Sequence, residues 1–204
     1  MTVQPGWDDV YVADEPPPWD IGRPQPVFEG LAERGLLRGA LLDPGCGTGE
    51  NTILAAGHGA DALGVDVSPN AIAQARRKAA ERGSAARFEV ADALDLSRLG
   101  LTFDTVIDSG VFHVFDDGDR ARYVASLASV TRPGATCYLM CFSERQPGDA
   151  GPRRVSQDEL TAAFRDGWTI GSITAETFAI NFQGRSEAQA WLAIIERSGP
   201  PPGA

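Results

Sequence analysis

The reading of the fold turns on Leu41 to Asn51, LLDPGCGTGEN. An apolar run enters an acid, Asp43, and then three alternate glycines, Gly45, Gly47 and Gly49, ahead of a segment of helical composition. Glycine is required where a chain turns sharply and a ligand must reach main-chain atoms with no Cβ in the way. A strand, a glycine loop and a helix in that order announce an open α/β sheet whose loop meets a nucleoside-type ligand.

The rest of the chain repeats the alternation. Short apolar runs at 40–44, 61–67, 86–91, 103–109 and 135–143 are separated by segments of helical period, which predicts a parallel, doubly wound sheet. Helix ends are readable: Ser68 caps a helix with Pro69 in its first turn and Gly83 beyond its end, and Ser156 with Glu159 makes a capping box for 157–166. A further helix, Pro26 to Leu37, precedes the sheet, with Val27 and Leu31 at helical spacing. Segments 168–180 and 188–196 read as strands with no crossover helix between them, so they should pair antiparallel at one edge. The expectation is an α/β, Rossmann-like, doubly wound sheet of seven strands, mostly parallel with an antiparallel edge strand. It occupies 25–198, after an N-terminal arm at 1–24 and before a loose tail at 199–204.

Composition sets the boundaries of function. At 204 residues, with 43% hydrophobic and 23% charged residues, the chain suits one well-packed domain. A net charge of -10 disfavours nucleic acid, whose binding depends on neutralising phosphates. Cys46, Cys137 and Cys141 form no CxxC pair, so neither a disulfide framework nor a metal site is expected, and Cys137 and Cys141 read as core. The arm begins with neither a basic segment nor an apolar one, and no later stretch suits a membrane span, which points to the cytoplasm.

A dinucleotide fingerprint, GxGxxG, would need glycine at position 50 or 52, where the chain has Glu50 and Thr52. That sets a NAD-type oxidoreductase second, and a non-enzymatic sensor on the same fold third. The acids Asp43 and Glu50 suit a cation better than a pyrophosphate. Asp66 follows about twenty residues after Gly45, where such folds place a ribose-hydroxyl acceptor. Asp92, at the end of the third strand, is placed to accept from an adenine amino group, with Ala93 offering a backbone amide. Cys46, Asn51 and Val67 belong to the same turns and join them as candidate cofactor contacts. The fourth strand, FDTVIDSGVFHVF, delivers Asp108 and then Phe112 and His113 to the carboxyl edge of the sheet.

These pieces together resemble the class I S-adenosylmethionine-dependent methyltransferases, whose glycine motif has the form D/E-x-G-x-G-x-G. The arm narrows the likeness: Trp7, Tyr11 and Trp19, with PPWDIGRPQP, resemble the thiopurine and thiol (halide) methyltransferase branch, with one tryptophan of that branch replaced by Tyr11. FHVF at 112–115 is more similar to bacterial relatives acting on heterocycles or quinones. The resemblance implies S-adenosyl-L-methionine as cofactor, arm aromatics folded over it, and cation-π contact with its sulfonium. It implies a small-molecule methyl acceptor as partner, a monomer or weak homodimer, and Arg120 of the GDR-x-x-Y segment facing that acceptor.

Methyl transfer is an in-line displacement that needs alignment more than a strong base. A thiol acceptor needs no base, whereas for a phenol or ring N–H acceptor His113 is the candidate base or orienter. His58, at a helix end, reads as structural, and 144–154 as a loop or, second, a lid over the acceptor.

Overall fold

The computed structural model describes residues 6–12 and 15–199, so part of the arm and nearly all of the predicted tail, 200–204, lie outside the described residues. The strands are β1 (Ala40–Pro44), β2 (Asp61–Asp66), β3 (Arg87–Val90), β4 (Phe103–Ser109), β5 (Thr131–Phe142), β6 (Trp168–Phe182) and β7 (Arg185–Arg197). The α-helices are α1 (Pro26–Glu33), α2 (Glu50–Gly57), α3 (Pro69–Glu81), α4 (Asp117–Val130) and α5 (Gln157–Ala163).

Successive residues of the central strands are apolar in both phases, so neither face of the sheet can be left to water. In β5, Cys137, Leu139 and Cys141 enter the core beneath α4 and α5. Their neighbours Tyr138, Met140 and Phe142 enter the opposite core, beneath α1 and α2. A third, smaller cluster packs Ile72, Ala75 and Ala79 of α3 on Phe88 of β3. The two cysteines are buried, free and on one face, as their spacing predicts.

The seven strands form one sheet in the order β3-β2-β1-β4-β5-β7-β6. Strands β1 to β5 run parallel, and β7 is antiparallel to both of its neighbours. The reversed strand therefore sits one place in from the edge. The reason lies in the pattern: Ala190–Ile195 of β7 is an unbroken apolar run that suits cover on both faces, whereas polar residues interrupt β6, which takes the edge. Strand order reverses between β2 and β4 on either side of β1, and ligands of open α/β sheets bind beyond the carboxyl ends of such strands.

Two polar devices fix the elements around that edge. Glu50 at the start of α2 meets Lys78 of α3 (2.9 Å) and Arg82 just beyond its end (2.7 Å), so its charge is spent between helices and not on a cationic ligand as the sequence suggested. Gln25, 3% exposed, pairs with the backbone of β6 in both directions: Nε2 donates to the Ala179 carbonyl and Oε1 accepts from the Ala179 N–H, each at 2.9 Å. This clasp joins the end of the arm to the hairpin that walls the cavity described below. Gln25→Ala is expected to cost about 1–3 kcal/mol in chemical denaturation with an unchanged m-value, since it leaves Ala179 unpaired. A loss below about 0.3 kcal/mol would show the clasp to be dispensable.

Candidate active site

The glycine loop is shaped by what surrounds it. Gly45 has φ +68°, and a Cβ there would stand 2.2 Å from the Val111 side chain. Gly47 has φ +53°, and its Cβ would come within 3.0 Å of the Tyr11 hydroxyl. The loop is held to β2 by the Cys46 N–H on the Val65 carbonyl and the Gly47 N–H on Asp66 Oδ2, both at 2.9 Å. Asp66 Oδ1 accepts from the Ser68 N–H at 2.9 Å, so one carboxylate organises two turns.

Three acids, Asp43, Asp66 and Asp108, end adjacent strands, and burial raises the pKa of each. Asp66 keeps several backbone donors. Asp108, fully buried, is pushed up to about 6 although it accepts from the Val111 and Phe112 amides and from the Tyr123 hydroxyl at 2.9 Å. Asp43 is pushed up to about 7, with Asp108 and Asp66 adding to the effect of burial. The Thr52 hydroxyl donates to its Oδ2 at 2.7 Å, but its Oδ1 is buried with no partner among the described residues. A buried carboxylate oxygen with no donor suits a cation.

A cavity of about 760 Å³ opens over this edge. At one end it is lined by Gly45, Asp66, Val67, Asp92 and Ala93. Trp7, Tyr11 and Trp19 close that end, with Trp7 edge-on to Trp19 at 5.8 Å and the Trp19 Nε1–H donating to the Tyr11 hydroxyl at 3.2 Å. An adjoining recess of about 60 Å³ is lined by Cys46, Gly47 and Asn51 and shares Tyr11, Trp19 and Gly45 with the main cavity. Asp92 Oδ1 caps the turn Ala93–Leu99 through the Leu94 N–H (2.9 Å), and Oδ2 has no protein partner among the described residues.

The other end is aromatic: Phe115, Phe142, Phe178, Ile180 and Phe182 line it together with His113. The segment after β5 also walls it, through Gln146 and Ala150 to Arg153, as a lid would. Arg154 holds that segment in shape by donating to the carbonyls of Gln146, Gly148, Ala150 and Pro152.

His113 departs from the expectation of a base. The Phe142 N–H donates to its Nδ1 at 3.0 Å, so the neutral ring carries its proton on Nε2. Burial, with Arg120 and Arg154 nearby, drops its pKa to about 3. Nε2 has no partner among the described residues, and the ring lines the cavity between Phe142 and Phe178. At neutral pH this group presents an N–H donor to the cavity and does not hold a second proton.

Four expected site residues do not line the cavity or its recess. Asp43, 1% exposed, is in neither wall. Asp108 is consumed by the turn after β4. Phe112 is 0% exposed in the core. Arg120, 5% exposed, points inward: Nη1 meets Glu159 at 3.1 Å, and its guanidinium lies 4.7 Å from the centre of the Phe112 ring. The face of α4 that carries it also carries Tyr123, Val124 and Leu127, all buried, and that helical spacing is the signal that Arg120 turns inward. Asp119 and Arg122, paired at 2.6 Å, line the cavity instead. Phe178, Ile180 and Phe182 were also missed; their spacing of two residues marks one face of a strand. His58 is exposed just beyond the end of α2, away from the cavity lining.

The molecule has relatives. A family model for a methyltransferase domain matches residues 41–134. Over 193 residues the chain is 33% identical to a 2-heptyl-1-hydroxyquinolin-4(1H)-one methyltransferase of Mycobacteroides abscessus, covering 87% of this chain and 85% of that protein. Among solved structures, one from work on the conversion of a disulfide bond into a thioacetal group during echinomycin biosynthesis is 40% identical. It superposes with a TM-score of 0.82 over 89% of this chain and 86% of that one. The magnesium protoporphyrin IX methyltransferase of Synechocystis PCC 6803 with bound SAH shares the fold, at 23% identity and a TM-score of 0.65 over 83% and 80% of the two chains.

The electrostatics of Asp43 have a consequence for the ligand-free protein. A folded pKa of about 7 lies above the ordinary carboxylate value of 3.8, so the stability that the protonated group provides is complete below about pH 4 and lost as pH rises through 7. Asp43→Asn should therefore raise the thermal midpoint relative to the parent at pH 8, by about 2 °C or more, with a smaller gain at pH 5. A difference that stays constant from pH 5 to 8 would contradict this account.

Proposed function

The chain belongs to the S-adenosylmethionine-dependent methyltransferases acting on small molecules, and we propose that its acceptor is a flat, largely apolar ring compound methylated on an acidic hydroxyl or thiol. One observation carries this reading: a single cavity joins Gly45, Asp66 and Asp92 to an aromatic chamber whose buried polar group, His113, offers an N–H donor. A hydrogen-bond donor at the acceptor end favours an atom with lone pairs and negative charge, and a ring with no free basic nitrogen leaves a protonated amine without help. The relative named for a hydroxyquinolone and the structure studied for disulfide-to-thioacetal conversion support oxygen and sulfur acceptors in turn.

The residues at the other end suit the cofactor. When bound, S-adenosylmethionine supplies a methyl group on a sulfonium cation. Asp43 lines neither the cavity nor its recess, so its charge would act on this cation through the field behind the glycine loop and not by contact. We assign Asp66 to the ribose hydroxyls, with Val67 beside it, and Asp92 Oδ2 and the Ala93 amide to the adenine edge. Cys46, Gly47 and Asn51 shape the recess for the methionine portion. Trp7, Tyr11 and Trp19 exclude water and turn ring faces toward the cation.

In this reading the chain contributes alignment, dryness and one donor. His113 Nε2–H orients an acceptor that arrives ionised, so the acceptor's own acidity sets the rate at low pH. The lid between Glu144 and Arg154 completes the chamber. The working unit is taken to be residues 25–198 with the arm at 1–24, as a monomer or weak homodimer in the cytoplasm. The net charge of -10 supports a small molecule over nucleic acid as partner. No α-helix among the described residues is long and apolar enough to cross a membrane.

A screen of thiophenols, phenols, 1-hydroxyquinolin-4(1H)-ones, quinols and aliphatic amines, with product read by mass, tests the acceptor class. Acidic hydroxyls and thiols should be methylated and aliphatic amines not; amine methylation as the main activity would overturn it. On the best acceptor, His113→Phe should lower kcat about 10- to 100-fold while S-adenosylmethionine affinity stays within about twofold. The pH profile of kcat/KM should follow the acceptor's pKa. An inflection between pH 5 and 7 that is independent of the acceptor and vanishes in His113→Phe would restore the histidine as a base.

A further inference from the structure

The arm does more than bring three rings to the cavity. Its described segment 6–12 lies against the first turn of α3, and Asp8 makes the junction. Asp8 Oδ1 accepts from the Ser68 hydroxyl and from the Asn70 N–H (3.1 Å), and Oδ2 accepts from Asn70 Nδ2 (2.7 Å). Ser68 Oγ is itself the cap of α3, accepting from the Ala71 N–H at 3.0 Å, so one hydroxyl links the helix to the arm. Three residues further, the Tyr11 carbonyl accepts from Gln74 Nε2 of the next turn at 2.7 Å. A carboxylate facing the amino end of a 13-residue helix is favourably placed in the helix field, and these hydrogen bonds lower its pKa, keeping it ionised.

The place of the junction matters more than its strength. Ser68 is two residues beyond Asp66 and donates its N–H to that carboxylate, so the turn that bears the ribose candidate is gripped from inside by Asp66 and from outside by Asp8. Trp7 and Tyr11 flank Asp8 in the chain and line the cavity. The second half of the arm has its own anchors: Asp20 accepts from the Thr48 hydroxyl at 2.7 Å, and the Pro18 carbonyl accepts from the Asn181 N–H at 2.7 Å. The Trp19–Tyr11 hydrogen bond joins the halves.

We propose that Asp8 is a positioning residue that latches the aromatic arm over the cofactor by gripping the first turn of α3, and that this latch sets how fast the cofactor and its product leave. The proposal rests on the reading that Trp7, Tyr11 and Trp19 cover the cofactor. Ligand must pass the arm, so weakening the latch speeds release without altering the groups that touch ligand.

The test is release of S-adenosylhomocysteine from the full chain, followed by stopped-flow fluorescence with excess S-adenosylmethionine as chase. Asp8→Ala and Asn70→Asp, the latter setting two carboxylates against each other, should each raise the release rate about tenfold. Asn70→Asp keeps the Ser68 cap and adds an acid to the first turn of α3, so α3 should stay folded, as thermal unfolding would report. The double variant Asp8→Asn with Asn70→Asp restores an amide–carboxylate pair with the roles exchanged, and its release rate should return to within about threefold of the parent. Single variants within about twofold of the parent, or a double variant as fast as Asn70→Asp, overturn the latch. Trp19→Ala separates the two readings: if it speeds release while the Asp8 and Asn70 variants do not, only the latch falls. If none of them moves the rate, the arm does not cover the cofactor and both readings fall.

Discussion

The site depends on the gathering of three buried carboxylates, Asp43, Asp66 and Asp108, at the carboxyl ends of β1, β2 and β4. Like charges so placed repel, and burial penalises each of them. Two are made tolerable by backbone N–H groups: Asp108 by the turn after β4, Asp66 by the glycine loop and the turn into α3. Those same bonds give the loops their shapes, so the solution to the charge problem is also the construction of the crevice. Asp43 is the exception, with one oxygen left without a donor among the described residues and the neighbouring acids adding to the effect of burial.

What could be read in the chain and what could not divides by the kind of constraint. A glycine at 45 or 47 is forced by local geometry that nothing else satisfies, and an acid closing a strand has few places to go, so Asp43, Gly45 and Asp66 were legible from spacing. Arg120 was not, because a resemblance assigned it a direction that helical periodicity contradicts. Its partners at three, four and seven residues on are all core, and a guanidinium on that face must turn inward to Glu159 and Phe112. The pattern stood in the sequence and was outweighed. His113 shows the limit of reading from type alone. Its position in the acceptor chamber followed from the end of β4, but its chemistry is decided by one N–H of Phe142, which sits 29 residues away in sequence.

The hairpin of β6 and β7 shows a third case. Neither strand carries a motif, yet Phe178, Ile180 and Phe182 make much of the aromatic wall. They do so because β7 takes the inner position beside β5, leaving β6 outermost with its alternate residues turned toward the cavity end of the sheet. That choice is a competition between two strands for burial, and it is settled by comparing the unbroken apolar run of β7 with the interrupted one of β6, which no single segment reveals. The sheet was legible as a class; the order of its last two strands required the tertiary comparison.

Charge distributes the work between the two ends of the cavity. The cofactor end is acidic, in keeping with a net charge of -10, and its acids are met mostly by backbone amides, which do not neutralise them. At the acceptor end Arg122 is paired with Asp119 and Arg153 with Asp117 and Glu159, while Arg154, beside His113, is in no ion pair among the described residues. Arg185 at the hairpin lines the same end with no ion pair among the described residues. In the proposed reading an acceptor there meets apolar rings, one imidazole N–H and a rim with an excess of arginine, while the sulfonium lies toward the acidic end. An anionic nucleophile and a sulfonium placed in such surroundings attract each other across a dry gap. Transferring the methyl group destroys both charges, so a low-dielectric chamber that is costly for the separated ions becomes favourable for the neutral products. In the proposed reading, the dry apolar walls of the acceptor end are therefore themselves part of how the displacement is promoted.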